Sequence, residues 1–282
     1  MVNLENLLKN EEEFVSLMLQ RTSLVFSEDK IHKVRNSVVG LCGFGGVGAI
    51  CAELIARWGV KKIRLFDKDF YEPTNLNRQL FATTKTLGRP KTQVAAERIK
   101  EIYPFVDIES IVQDRVSNDN VYEFVDGLDV LIQTTDSPSS LLFYKAAELK
   151  KIPLVNGYAS VIGGFVTVFD FRDRIKRSIW ERLKDFLKWR GRKDITKMTR
   201  EELDELDEKW GIGTAPSINF ITNMVGCFIV AETIKLLTGY GKVVKYPYRI
   251  SFNVFEPSLK IERSGSFREY FQFRKIKKFI RK

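Results

Sequence analysis

Residues 36–59 read NSVVGLCGFGGVGAICAELIARWG, and the order of residue types here decides the fold. The run through Val38, Val39 and Leu41 is short and β-rich, and it breaks into Gly43, Gly45, Gly46 and Gly48. Helical spacing follows from Ala49, with Gly59 placed to cap the helix C-terminus. A strand that passes through glycines directly into a helix opens a nucleotide-binding unit. The glycines permit a tight turn and close backbone approach, and free N–H groups at the helix start can bind phosphate. A lone glycine loop says little. This one stands between a strand and a helix, and Asp67 ends the next strand about 20 residues beyond the loop. A carboxylate there meets a pair of ribose hydroxyls.

Strands and helices then alternate. KKIRLFD from Lys61, VDIESIVQD, LDVLIQTTD and IPLVNGYA read as strands. KTQVAAERIKEIYP, NDNVYEFVDG and SSLLFYKAAELKK read as the helices between them. Such alternation predicts an α/β fold, a Rossmann-like doubly wound and mostly parallel sheet. After it, GGFVTVFDF, YRISFNVFEP and LKIERS predict an antiparallel C-terminal extension. Residues 172–210 are densely charged and helical in spacing, and read as an inserted lid or crossover. FITNMVGCFIVAETIKLLTG is a mostly apolar helix ending at Gly239. The expected division is a helical arm over 1–34, a nucleotide-binding domain over 35–260 and a basic tail over 261–282.

Composition narrows the class. With 282 residues and 44% hydrophobic content, a sizeable core can form. Cys42, Cys51 and Cys227 are the three cysteines, with no CxxC pair, so neither a disulfide framework nor a structural zinc site is expected. This suits a reducing cytoplasm. No apolar run approaches the roughly 20 residues that span a bilayer, and the acidic, amphipathic start is unlike a signal peptide. The formal charge of +10 collects partly in the tail after Phe267, which reads as a solvated end or as a contact for an acidic partner or RNA.

The glycine loop fits either NAD or ATP. The segment from Asp67, DKDFYEPTNLNRQLF, gathers Asn75, Asn77, Arg78 and Gln79 beside the ribose position. A dehydrogenase has no use for that cluster, and its one histidine, His32, lies upstream of the first strand. An enzyme that neutralises a triphosphate does. Arg78 can clamp phosphate oxygens with its planar fork. Lys91 opens the next helix in GRPKTQ, near the same phosphates, and Asp136 ends the fourth strand in TTDSP, where a carboxylate can hold Mg2+. Each has an ordinary alternative: a surface arginine, a solvated helix start, a helix cap. A non-catalytic protein that kept the fold would be expected to lose one of the three.

The chain resembles the ThiF/MoeB/HesA family, relatives of the ubiquitin-activating enzymes, over roughly residues 20–260. The resemblance rests on GFGGVG, DKD…TNLNRQ, GRPK, TTD and the late AETIKLLTG. It implies an adenylyltransferase that uses Mg2+ and ATP to form an acyl-adenylate on a carboxyl terminus, often of a small ubiquitin-like sulfur carrier. By residue match, Gly43, Gly45, Gly46, Gly48, Asp67, Asp69, Asn75 and Gln79 bind the nucleotide. Asn75, Arg78 and Lys91 act on the phosphates, Asp136 holds the metal, and Arg21 is supplied across a homodimer interface. Three departures stand out. The zinc-binding CxxC pairs are absent, no cysteine lies between 52 and 226 to form a thioester, and Thr135 replaces the usual cysteine before Asp136. Cys227, in an apolar helix, reads as core. Activation of a sulfur carrier, modification of a peptide and dehydration of threonylcarbamoyladenosine in tRNA all remain open. The basic charge leans toward tRNA, while GTAPSINFITNMVG looks more like the carrier-activating members.

Overall fold

The computed structural model describes residues 4–136, 139–173, 175, 193–210 and 216–264. The expected helix SIWERLKDFLKWRG and the basic tail from 265 lie outside the described residues.

One eight-stranded sheet organises the chain, in the order β3-β2-β1-β4-β5-β6-β7-β8. The strands are β1 (Val38–Cys42), β2 (Lys62–Phe66), β3 (Asp107–Val112), β4 (Val130–Gln133), β5 (Leu154–Ala159), β6 (Gly163–Phe169), β7 (Tyr248–Asn253) and β8 (Ser258–Arg263). The first five are parallel and the last three antiparallel. β8 therefore runs past the boundary set at residue 260.

Before the sheet come α1 (Leu4–Leu7), α2 (Glu11–Met18) and α3 (Glu28–Arg35). They form no separate arm: Val15, Leu19, Ile31 and Val34 belong to the main core. The crossover helices are α4 (Gly48–Arg57), α5 (Lys91–Ile102), α6 (Val121–Val125) and α7 (Ser139–Lys150). α4 and α5 bury Ile55 and Ile99 on one face, while α6 and α7 bury Phe124 and Phe143 on the other. α4 and α5 are tied by Glu53, which accepts from Arg57 at 3.0 Å and Arg98 at 2.8 Å. Of the charged insertion, α8 (Arg200–Trp210) is described. Ile195 and Leu203 bury in the second core, and Arg200 pairs with Asp114 at 2.8 Å, so this part docks on the loop after β3.

α9 (Asn219–Thr238) lies against α4, β5 and β6. It corrects two expectations. With 20 residues and a mean hydropathy of 1.6, it is long and apolar enough to cross a membrane by length and composition. Asn223, Glu232 and Lys235 hide this in the sequence. Half of its apolar window is buried within the fold, and a core helix passes the same test. Cys227 is exposed, not core. Phe220 and Met224 are also exposed on this helix, so it is apolar around its whole circumference and carries no 3.6-residue signal of which side faces in.

At the far end of β6, buried Asp170 accepts from Arg172 at 2.8 Å and pairs with Lys245 at 2.7 Å. Burial pushes its carboxyl up, but the hydrogen bonds from Arg172 and Lys245 prevail and pull it to about 2. A depressed carboxylate contributes stability that is present above its unfolded value and lost as pH falls through the folded one. Asp170→Asn is expected to cost about 1 kcal/mol near neutral pH. The gap to wild type should close between about pH 4 and pH 2 in urea unfolding. A gap that stays constant across that window would show that the charge contributes nothing.

Candidate functional site

In the order 3-2-1-4-5 the sheet reverses direction between β1 and β4, and ligands of open α/β sheets bind at the carboxyl edge of such a switch point. The glycine loop leaves β1 there, and Thr134 to Asp136 leave β4 beside it.

Two of the four glycines are required by packing, Gly43 and Gly48, and Gly46 is tight. Gly43 has φ +87°, open to glycine at little cost, and a Cβ on it would lie 2.9 Å from the Thr134 backbone. A Cβ on Gly48 would sit 1.7 Å from the Gly43 carbonyl oxygen, and one on Gly46 3.0 Å from the Thr222 side chain of α9. Gly45 differs. The nearest atom to a Cβ there is Gln79 Nε2 at 3.9 Å, so space stands open over the loop. No side chain caps the N-terminus of α4; of its first N–H groups, that of Ala49 is held by the Gly45 carbonyl at 3.2 Å.

Asp67 is buried at the end of β2. Its two oxygens accept from Phe44 N–H at 2.6 Å and Asp69 N–H at 2.8 Å. Burial raises its pKa, and the Lys91 ammonium opposes that shift. Lys91 is only 5% exposed, and its Nζ lies 3.3 Å from Asp69 Oδ2. A buried lysine is costly unless paired. Here Asp69 pairs with one at the edge of the loop.

Asn75 is buried, and its side chain accepts from Glu72 N–H at 3.1 Å. Its carbonyl accepts from Arg78 N–H at 3.1 Å and Gln79 N–H at 2.9 Å. Asn75 thus builds the turn that carries the next two functional side chains. Arg78 is half-buried and donates to Thr74 O at 2.6 Å. Gln79 is buried and its Oε1 has no hydrogen-bond partner. A buried, unpaired acceptor is expensive, and this one belongs to the side chain nearest the open space at Gly45. These residues fit a nucleotide, with ribose near Asp67 and phosphates over the loop.

Asp136 is exposed at the end of β4, and its carbonyl accepts from Ser140 N–H at 2.9 Å at the start of α7. One or two carboxylates plus phosphate oxygens suffice for Mg2+, so Asp136 fits that role. Among the described residues no group of three His, Cys, Asp or Glu could hold a metal. Arg21 stands on the exposed turn between α2 and α3, with no hydrogen bond to the other site residues. Burial pushes all three thiols upward, so none is an activated nucleophile.

Sequence reading missed a polar chain at this edge. Asn156 donates to Gln133 Oε1 at 2.6 Å, and Gln133 donates to Thr135 Oγ1 at 2.7 Å. It fixes the turn leading to Asp136. Polar residues ending two buried strands, Gln133 in LIQTTD and Asn156 in LVNGYA, are the available signal.

Similarity to known proteins agrees with this geometry. The chain is 35% identical over 156 residues to the tRNA threonylcarbamoyladenosine dehydratase of Bacillus subtilis, covering 54% of this chain and 61% of that protein. It is 34% identical over 126 residues to the SAMP-activating enzyme E1 of Haloferax volcanii, covering 44% and 46%. The chain thus spans about half the length of the curated relatives it matches. Its fold is that of the crystal structure of PaaA, with a TM-score of 0.68 at 18% identity, covering 88% of this chain and 73% of that one. The ThiF family model matches residues 19–267, and with the switch-point loop, Asp67 and the Arg78 turn in place, the chain belongs to the ThiF family.

Proposed function

We propose that the chain activates a carboxylate by ATP-dependent adenylation and releases pyrophosphate. The carrying observation is buried Lys91, paired with Asp69 and set beside Asp67 at the rim of the open space over Gly45. A carboxylate is ionised near neutral pH, so no general base is needed. Its oxygen attacks the α-phosphorus, the bond to the bridging oxygen breaks, and the electron pair leaves with pyrophosphate. Arg78 and Lys91 offset the charge on the phosphates, and the N–H groups of the loop orient them. Mg2+ held by Asp136 would add charge neutralisation. The family and the SAMP-activating relative support the C-terminus of a small ubiquitin-like carrier or peptide as the acyl group. Formation of a thioester on this chain is not part of the proposal, because its thiols are not activated.

A second reading is favoured by one observation. The Bacillus subtilis relative is a tRNA threonylcarbamoyladenosine dehydratase, and a charge of +10 suits RNA. Both readings place the reaction in the cytoplasm. Both use a homodimer that brings Arg21 to the partner's site, supported by the exposure of Leu24 (85%) and Val25 (62%) beside Arg21.

The test is ATP–pyrophosphate exchange with Mg2+, adding a Gly-Gly-ending carrier or tRNA bearing threonylcarbamoyladenosine. Exchange dependent on the carrier supports the first reading, and ATP consumption dependent on the RNA supports the second. Failure to bind ATP at all would leave a non-catalytic protein.

A further inference from the structure

We propose that Tyr158 receives the acyl group beside the nucleotide, its phenol O–H donating to the acyl oxygen of the substrate. This rests on the adenylation reading.

The placement follows from register. β4 and β5 pair in parallel with Gln133 opposite Asn156, where β4 ends; Tyr158 lies two residues beyond, on the part of β5 that outruns β4, where the chain continues through Thr135 to Asp136. Gly157 faces α9, where a Cβ would lie 2.6 Å from Val225. Alternation along the strand turns Tyr158 to the opposite side of the sheet. There it is 45% exposed, at the carboxyl edge where the phosphates are expected. The Asp136 carboxylate lies close enough to act on it across this edge, and an ordinary phenol is a donor at neutral pH.

The ring is held while the hydroxyl is not. Tyr158 lies on Phe165 of β6, with ring centroids 5.8 Å apart and 30° between planes. Arg249 of β7 sits 4.6 Å from the Phe165 ring centre and is itself bonded to Glu262 at 2.7 Å. Three strands thus fix the ledge. Among the described residues the Tyr158 hydroxyl has no hydrogen-bond partner. A phenylalanine would pack as well against Phe165, so the hydroxyl is open to a substrate atom. The acyl chain this suits is a slender carboxylate, such as an unbranched peptide end that lies flat on two rings.

The test measures affinity of the full chain for AMP and for glycylglycyl-sulfamoyladenosine, a stable acyl-adenylate mimic, by calorimetry. Wild type should bind the mimic at least about tenfold more tightly than AMP. Tyr158→Phe should weaken the mimic by about fivefold to tenfold, the scale of one hydrogen bond, with AMP affinity unchanged. Tyr158→Ala should weaken it further. An unchanged ratio of mimic to AMP in Tyr158→Phe overturns the proposal, as does a wild type that binds both equally. A wild type that binds neither AMP nor ATP overturns the adenylation reading itself.

Discussion

Arg78→Ala lowers ATP–pyrophosphate exchange by about 10²–10³-fold while the protein stays folded. That is the scale on which enzymes lose activity when one preorganised donor to a developing charge is removed, about 3–4 kcal/mol. The structure separates this from a stability effect. Arg78 is only half-buried, and its visible bonds run to Thr74 O and Asn77 Oδ1 within its own turn. Deleting them should cost about 1 kcal/mol or less in urea unfolding. The turn itself survives because Asn75 holds it from below, accepting from Glu72, Arg78 and Gln79 backbone N–H groups. The variant should therefore keep Gln79 in place and bind the adenosine part nearly normally. Exchange that remains within tenfold of wild type would remove Arg78 from the phosphate site.

Gly48→Ala has the largest expected effect on stability. Its new Cβ would meet the Gly43 carbonyl oxygen at 1.7 Å and Thr134 Oγ1 at 2.6 Å, and both are held by the sheet. Neither is the end of a flexible chain, so α4 must shift away from β1 and β4. Overpacking of a rigid core costs about 1–3 kcal/mol and occasionally more, and a contact this short places the variant at about 3 kcal/mol or beyond. Gly45→Ala is the matching control. Its Cβ has nothing nearer than 3.9 Å, so the urea midpoint should barely move, whereas ATP binding should fall because the methyl occupies the space over the loop. If both variants unfold at the wild-type midpoint, the close approach of α4 to β1 is not a constraint. If Gly45→Ala binds ATP normally, the phosphates lie elsewhere.

These two glycines show how far the sequence can be read. The motif GFGGVG between a strand and a helix announces the loop, but nothing in the letters distinguishes Gly48, a packing glycine, from Gly45, which leaves room for a ligand. That difference depends on β4, whose Thr134 comes close only after the sheet has formed. The alternation of strands and helices implied a parallel sheet, and the later strands an antiparallel extension. The order in which β1 and β4 become neighbours arises from long-range pairing that local periodicity does not carry. For the same reason Asp67, Arg78, Lys91 and Asp136 could be picked out individually, while the Asn156–Gln133–Thr135 chain and Tyr158 could not. Their meaning comes from the register of β5 against β4. The extent of α9 is legible up to its Gly239 cap, but the side that Cys227 faces is not, because a helix apolar all round gives no pattern to read.

β5 is the one strand with a parallel neighbour on one side and an antiparallel neighbour on the other. It acts as a seam between two halves that are closed in the same way. On the parallel side, a Cβ on Gly48 would meet the Gly43 carbonyl oxygen at 1.7 Å. On the antiparallel side, a Cβ on Gly163 would meet the Phe252 carbonyl oxygen of β7 at 1.9 Å. A side chain added at either place would part neighbouring elements, so the extension is bound to its register as firmly as the helix is to its loop.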